Sequence, residues 1–314
     1  MVTASPTRVA PRWEGLLLVC AAGVVWGTIG PAVALVGEYS DLPVLVMGAY
    51  RAVAAVAVMA VVVLAGRQVA GCRRLLRAHG GRAVAVGLLT AAFQMLFFVA
   101  VLATGVSVAT VVAMGIPPVL LLVLHAVRDR RAPSPAQATT VGVALTGLVL
   151  VSLLGGGHAP GGETTTTGVL VALASGTSYA LSAEVGAPLT QTYGAVPVAT
   201  VTLSVVALAL VPLGVVSSTV LGQQRTTDDP RVWSLLVYLG VVTMALAYVL
   251  LFAGLRTTPS GTVVVATLLE PVTAVLIAVA FLGETLTPAG VVGSALVLLA
   301  IASLGRQVEE PEPK

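Results

Sequence analysis

Apolar residues form ten long runs along the chain, separated by short polar or charged segments. The runs lie at 15–36, 43–64, 83–103, 107–127, 136–154, 168–187, 195–216, 232–252, 260–282 and 287–304. An α-helix needs roughly 20 apolar residues to cross a hydrocarbon core about 30 Å thick, and each run is close to that length. The pattern therefore predicts an all-α membrane protein with ten transmembrane helices.

The two halves of the chain align with each other at an offset of 153 residues. The matches include Gly87 with Gly240, Thr104 with Thr257, Ser107 with Ser260, Pro118 with Pro271 and Pro135 with Pro288. Each half holds five predicted helices, an odd number, so equivalent helices cross the membrane in opposite directions. Inverted repeats of this kind are a common plan of secondary transporters, whose site lies near the midplane where the halves meet.

The basic residues between the runs predict the orientation of the chain. With a cytoplasmic N-terminus, thirteen of the 16 basic residues face the cytoplasm, whereas Arg225 and Arg231 lie outside and Arg51 lies within a helix. This asymmetry follows the positive-inside rule and places both termini in the cytoplasm. We divide the chain into a cytoplasmic tail (1–14), a first repeat (15–154), a Gly/Thr-rich linker (155–167), a second repeat (168–304) and a cytoplasmic tail (305–314).

Composition excludes several classes of protein. Of the residues 57% are hydrophobic and only 9% are charged, so a soluble enzyme or a disordered chain is excluded. The net charge of +3 is not clustered as nucleic-acid binding requires. The only lysine is Lys314, which excludes an ATP-binding P-loop. The histidines are too scattered for a metal site or a catalytic grouping, so we expect no metal, no cofactor and no enzymatic activity.

Three prolines fall in the middle of predicted spans: Pro117, Pro118 and Pro271. A proline removes the hydrogen bond to the carbonyl four residues earlier and kinks the helix. The freed carbonyls lie at bilayer depth, where lipid cannot satisfy them. The kinks serve either close helix packing or the wall of a cavity, and their equivalent places in two inverted halves favour the cavity wall.

The last two runs resemble the closing helices of EamA-like members of the drug/metabolite transporter superfamily. The matching features are Glu270-Pro271, Leu282-Gly283-Glu284 before a short turn, and two glycines in the last run, and Arg51 is similar to an arginine early in that family's second helix. In the first half, Ile116-Pro117-Pro118 replaces the Glu-Pro pair. The resemblance implies two inverted EamA-like repeats that move small polar or amphipathic metabolites or drugs, commonly outward across a bacterial inner membrane.

Charged residues within the spans are candidates for the transport pathway, because each is costly in hydrocarbon. Glu270 lies about 15 Å into its helix at 1.5 Å per residue, near the midplane. A carboxyl group there suits proton-coupled exchange or recognition of a cation, although it could also be tied into helix packing. Arg51 could bind a substrate carboxylate or pair structurally. Glu184, near the cytoplasmic end of its span, could line the pathway or reach water.

Uncharged polar and aromatic residues in the spans complete the set of candidates. Gln94 is the strongest, since an amide in the middle of a membrane needs partners, whereas hydroxyl groups in spans often bond to their own helix. The other candidates for the substrate pathway are Trp26, Thr28, Phe97, Tyr179, Tyr248 and Pro271.

The leading hypothesis is a secondary transporter in the cytoplasmic membrane, an exporter of small metabolites or drugs that works by alternating access. Its partners would be a small-molecule substrate and the lipid bilayer, with proton coupling left open, and the chain would act as a monomer or homodimer. The alternatives are an uptake carrier or facilitator and, in another class, a membrane sensor or scaffold without transport.

Overall fold

A computed structural model describes residues 12–154, 165–281 and 287–309, which are almost entirely helical. The apolar runs provide the helices, and short segments that contain glycine, proline or polar residues end them. The helices are α1 Arg12–Gly27, α2 Ile29–Tyr39, α3 Val44–Ala65, α4 Val69–Asp129, α5 Pro135–Leu154, α6 Thr166–Tyr193, α7 Ala195–Val220, α8 Pro230–Gly240, a π-helical turn Val241–Leu246, α9 Ala247–Gly254, α10 Ser260–Ala266, α11 Leu269–Phe281 and α12 Pro288–Glu309.

The longest helix, α4, contains two of the predicted spans. Its 61 residues would extend about 90 Å as a straight rod, three times the hydrocarbon thickness. Non-helical backbone at His79 and at Gly105 interrupts it. At Gly105 φ is +80° and ψ is 162°, a conformation that glycine adopts without a steric penalty. The predicted spans 83–103 and 107–127 lie on either side of Gly105.

Nine helical segments of the described chain are long and apolar enough to span a membrane, with α4 counted as one segment. The all-α membrane architecture is therefore confirmed, whereas the count of ten stays a prediction. The first predicted span also differs in detail, because Thr28 separates α1 from α2.

Most of the closely packed helix pairs consist of one helix from each half of the chain. Helix α3 lies along α7, and α5 lies along α12, so each pairs with its counterpart from the other half. Helix α1 packs against α9 and α11 of the second half, and its counterpart α6 packs against α4 of the first half. This reciprocal pattern is what two repeats in opposite orientations produce.

Glycines at equivalent positions form close contacts in both halves. A Cβ atom at Gly23 in α1 would lie 3.2 Å from the Cβ of Leu269 and 3.6 Å from the carbonyl oxygen of Ala266. Gly176 in α6 meets the carbonyl of Ala113 even more tightly. Gly23 and Gly176 are separated by 153 residues, and so are Ala113 and Ala266. The repeat offset therefore also relates α1 to α6.

The mid-span prolines have different effects in the two halves. Helix α4 continues through Pro117 and Pro118, and the carbonyl of Ala113 packs against Gly176. Before Pro271, in contrast, the helix is interrupted at residues 267–268, between α10 and α11. The Thr267 carbonyl there accepts a hydrogen bond of 3.0 Å from the N–H of Glu270. Only the second half therefore has a break at the proline.

Several predicted segments lie outside the described residues. They are most of the Gly/Thr-rich linker, the Leu282-Gly283-Glu284 motif and the outer parts of both tails, at residues 1–11 and 310–314.

Candidate functional site

A cavity of about 100 Å³ lies at the centre of the bundle, between the two halves. Residues of α1, α3, α4, α6, α9 and α11 contribute to its wall. Seven of the residues that the sequence singled out line it: Trp26, Arg51, Gln94, Phe97, Tyr179, Tyr248 and Glu270. The spans thus bring together side chains that are more than 200 residues apart in the sequence.

The carboxyl group of Glu270 enters the cavity at the helix break. Glu270 is the second residue of α11, so its side chain lies at the N-terminal end of that helix. The partial positive charge of a helix N-terminus favours a carboxylate. Within the described part of the chain, the Glu270 carboxyl group has neither a hydrogen-bond partner nor an ion pair with Arg51. Its oxygens are therefore available to a ligand or to water.

Arg51 supplies the opposite charge. It lies within α3 and is only 7% exposed. One terminal guanidinium nitrogen donates a long hydrogen bond of 3.4 Å to the hydroxyl of Thr243, and Nε has no partner. A buried guanidinium with unused donors is costly unless an anion or water satisfies it. Arg51 therefore offers donors for a carboxylate or another planar anion.

Aromatic side chains form the remaining wall and are fixed by their polar ends. The Trp26 indole N–H donates to the Thr243 carbonyl at 3.0 Å, and the ring packs edge-on against Tyr248 at 5.5 Å between centroids. The Tyr179 hydroxyl donates to the hydroxyl of Thr267 at 3.1 Å. The hydrogen bonds fix the outer ends of the Trp26 and Tyr179 side chains, and the helices fix their backbone. These two rings therefore give the cavity a rigid apolar surface beside its two charges.

Gln94 brings a third unsatisfied polar group. Its side-chain nitrogen Nε2 is buried and has no hydrogen-bond partner. Buried amide donors are almost always paired in native structures, with protein or ordered water. Arg51, Gln94 and Glu270 all line the cavity, and Gln94 interacts there with the side chain of Tyr248.

Three of the predicted pathway residues lie elsewhere. The Thr28 hydroxyl is 2.7 Å from the Tyr238 hydroxyl, outside the lining of the cavity. Pro271 is buried in α11 behind Glu270 and does not line the cavity. Glu184 lies five residues beyond Tyr179 in α6, about 7.5 Å further along the helix axis.

Glu184 instead organises a second polar group, which we call the Glu184 cluster: His125, Arg128, Glu184 and Ser260. The carboxylate lies 3.0 Å from His125 Nε2 and 3.4 Å from Arg128 Nη1. It also accepts a hydrogen bond from the Ser260 hydroxyl. The cluster joins α4 of the first half to α6 and α10 of the second half.

Phe93 and Thr267 also line the cavity. Further residues that border or support it, and that the sequence did not single out, are Thr243, Phe98, Met114 and Ile29. One signal in the sequence could have found part of this set. Trp26 and Tyr179 are themselves separated by 153 residues, so the two aromatic walls occupy equivalent positions in the repeats. Side chains on neighbouring helices that face Trp26 or Tyr179 were therefore candidates for the lining of the cavity.

A second cavity, of about 290 Å³, lies between α4, α5 and α6. Its lining is apolar throughout and includes Gly115, Ile116 and Leu148. Without a polar group it cannot orient a charged or hydrogen-bonding substrate, so the central cavity is the better candidate for a binding site. Among the residues that the structure describes, no group of three or more His, Cys, Asp and Glu side chains could hold a metal ion.

Two matching halves of membrane-spanning helices around a polar cavity define a multi-pass membrane protein of the transporter class. The EamA-like transporter family model matches residues 13–153 and, a second time, residues 166–306. The chain belongs to this family, as its sequence motifs indicated.

Known relatives agree with this assignment. The chain is 30% identical over 288 residues to the uncharacterized transporter YwfM of Bacillus subtilis (strain 168), and the match covers 91% of each protein. A solved crystal structure of a protein has a TM-score of 0.75 at 20% identity and covers 95% of this chain and 99% of that chain. At that identity the structural likeness shows the fold alone.

Proposed function

We propose that this protein is a secondary transporter that moves small metabolites, such as amino acids or amines, or drugs across the cytoplasmic membrane by alternating access. One observation carries the proposal. The cavity between the two repeats holds a carboxyl group and a guanidinium, Glu270 and Arg51, that do not pair with each other. Charges that are kept unpaired at the centre of a membrane bundle indicate a site for a ligand.

The chemistry of the cavity supports polar substrates with an apolar part. Glu270 suits a cationic group such as an ammonium, and Arg51 suits a carboxylate. The rings of Trp26, Tyr179 and Tyr248 suit the apolar part and can contact a cation through their faces. This combination is the basis for proposing amino acids, amines and cationic drugs.

Location and direction are also part of the proposal. The asymmetry of basic residues supports an inner-membrane protein with both termini in the cytoplasm. The resemblance to EamA-like transporters supports export. Uptake, or facilitated diffusion without an ion gradient, remains the alternative within the transporter class.

Proton coupling would rest on Glu270. Glu270 is the one acidic residue among the described residues that line the central cavity. A proton and a cationic group of the substrate would compete for its carboxyl group. Such competition at one carboxyl group is the simplest way to exchange a proton for a substrate, because each state of the group favours one of the two ligands.

The test is transport by the purified protein in liposomes. The vesicles are loaded with a panel of amino acids, amines, nucleosides and cationic dyes, and efflux is followed with and without a pH gradient. We expect saturable efflux of at least one amine or amino acid. This efflux should be faster than from loaded liposomes that contain no protein. If no member of the panel moves but one raises the thermal stability of the protein, a sensor without transport becomes the better explanation.

A further inference from the structure

The repeat offset allows the two ends of the transport path to be compared within one structure. We define the terminal face as the end of the bundle where α1 begins beside the end of α12, with Gly305 next to Leu16. The linker face is the opposite end, where α5 ends and α6 begins. In an inverted repeat, each position near one face has an equivalent 153 residues away near the other face.

Equivalent positions near the two faces differ in burial. Near the terminal face, Leu121, Ala183 and Val264 are each at most 2% exposed and belong to one apolar cluster with Tyr179. Their equivalents near the linker face are Ala274, Gly30 and Val111. Gly30 is exposed, with open space where a Cβ would lie, and Ala274 is half-buried. Val111 is also half-buried, but it lines the second cavity, between α4, α5 and α6.

The difference extends along the helices that flank the cavity. Ser260 in α10 is buried, whereas its equivalent in α4, Ser107, is half-buried. The structure is therefore closed near the terminal face and looser near the linker face. An apolar layer lies between the cavity and the terminal face, and the Glu184 cluster lies just beyond that layer.

Within the described residues, the positions equivalent to His125 and Glu184 hold no matching polar pair near the linker face. The positions equivalent to His125 and Glu184 are Ala278 and Pro31, neither of which can form a hydrogen bond through its side chain. Only Ser260 has an equivalent hydroxyl, in Ser107. Among the described residues, the polar contacts that tie α4 to α6 and α10 therefore stabilise closure at the terminal face and have no equivalent at the other.

We infer that Glu184 is a positioning residue that holds the terminal face closed, and that its contacts with His125 and Ser260 break each time the cavity opens to that face. We call this set of contacts the latch. The inference rests on the proposed function, because such contacts affect activity only in a protein whose cavity opens to each face in turn. On the proposed orientation the terminal face is the cytoplasmic one, so the latch makes the outward-facing conformer the resting state.

The direct consequence concerns the ratio of the two conformers. A hydrogen bond to a charged group corresponds to about a tenfold change in an equilibrium constant, or more. Loss of the Glu184 contacts should therefore raise the fraction of molecules that are open to the terminal face by about tenfold. The same change must lower the fraction that is open to the linker face.

The test uses cysteine accessibility, which needs no substrate. Cys20 and Cys72 are first replaced by alanine. A reporter cysteine is then placed either at Val264, in the apolar layer, or at Gly30, where the space is open. A membrane-impermeant maleimide is added to vesicles of each orientation. In the parent, we expect slow labelling of Val264→Cys and fast labelling of Gly30→Cys.

The variants Glu184→Ala and Ser260→Ala are introduced into both reporters. We expect labelling of Val264→Cys to rise about tenfold in Glu184→Ala, whereas labelling of Gly30→Cys should not rise. The milder Ser260→Ala variant should show the same pattern at smaller size, and Ser260→Thr should restore the parental pattern. The matched control is Ser178→Ala, whose hydroxyl bonds only to its own helix, at the Ala174 carbonyl.

Two results would overturn the inference. One is unchanged labelling of Val264→Cys in variants that remain monodisperse and thermally stable. The other is a rise at both reporters, which indicates general loosening of the bundle. If labelling shifts as expected while no substrate is transported, the latch stands and the proposed function fails. If a substrate is transported but labelling of Val264→Cys does not change in the variants, the proposed function stands and the inference about Glu184 fails.

Discussion

The two repeats share their close helix contacts but not their polar residues. Gly23 and Gly176 meet equivalent backbone positions in the opposite half, so the same packing occurs twice. In contrast, Glu270 has Pro117 as its equivalent, and Arg51 has Ser204. Small residues that allow close approach are therefore required in both halves, whereas each charge is needed only once in a shared cavity.

The comparison is broken most severely by removing the charge that only the second repeat has. Glu270→Gln should abolish the response of efflux to a pH gradient, because an amide cannot exchange a proton. Efflux in liposomes with an imposed gradient is the measurement. Glu38→Gln, which changes an exposed glutamate of α2, is the matched control and should transport like the parent. Full gradient-driven efflux in Glu270→Gln would remove this residue from coupling.

The next largest effect is expected at the shared packing. Gly176→Ala places a methyl group against the Ala113 carbonyl, so α6 must move away from α4. Overpacking of this kind costs about 1–3 kcal/mol of folding free energy, or more. Thermal unfolding in detergent should show a clear loss of stability. Gly142→Ala, at a position with no neighbour within 4 Å, should show none.

Arg51 tests the other unshared charge. Arg51→Gln should weaken the binding of substrates that carry a carboxylate by about tenfold or more, the size of a hydrogen bond between charged groups. Substrates that carry only a cation should keep their apparent KM. Arg73→Gln, in the exposed basic segment of α4, is the control. An equal loss for both substrate classes would indicate that Arg51 supports the structure of the cavity and does not bind the anion.

The smallest effect is expected at the apolar cavity of the first repeat. Gly115 lies in its wall, and the equivalent position in the second repeat is the fully buried Leu268. A Cβ atom at Gly115 would be at ordinary contact distance, 3.5 Å from Leu145 Cδ2. Gly115→Ala should therefore raise stability by roughly 0.5–1 kcal/mol, the helix preference of alanine over glycine. A decrease in the unfolding temperature would contradict this reasoning.

The sequence predicted the cavity better than it predicted the Glu184 cluster. Arg51 and Glu270 were found because charge at bilayer depth is rare and costly, a rule that depends only on position along a span. Glu184 and His125 belong to different spans, and nothing in the sequence fixes how two helices rotate against each other. Contacts between such residues become visible only when the packing is known.

The mid-span prolines also show what the sequence can predict and what it cannot. Pro117 and Pro271 are both in mid-span, and the loss of one hydrogen bond is predictable at each. Whether the helix breaks depends on its neighbours. At Ala113 the carbonyl packs tightly on Gly176 and α4 continues, whereas at Thr267 the carbonyl is bonded by Glu270 and the helix stops. The presence of a proline alone therefore does not decide whether the helix breaks.

The π-helical turn at Val241–Leu246 has a consequence for how such proteins diverge. Gln94 follows Gly87 by seven residues, but Tyr248 follows the equivalent Gly240 by eight, and both side chains face the cavity. A wide turn takes up one extra residue without ending the helix, and the carbonyl of Thr243 within it receives the Trp26 indole. Two halves of equal length can thus present different side chains to one ligand by a shift of helical phase, with no insertion or deletion in the gene.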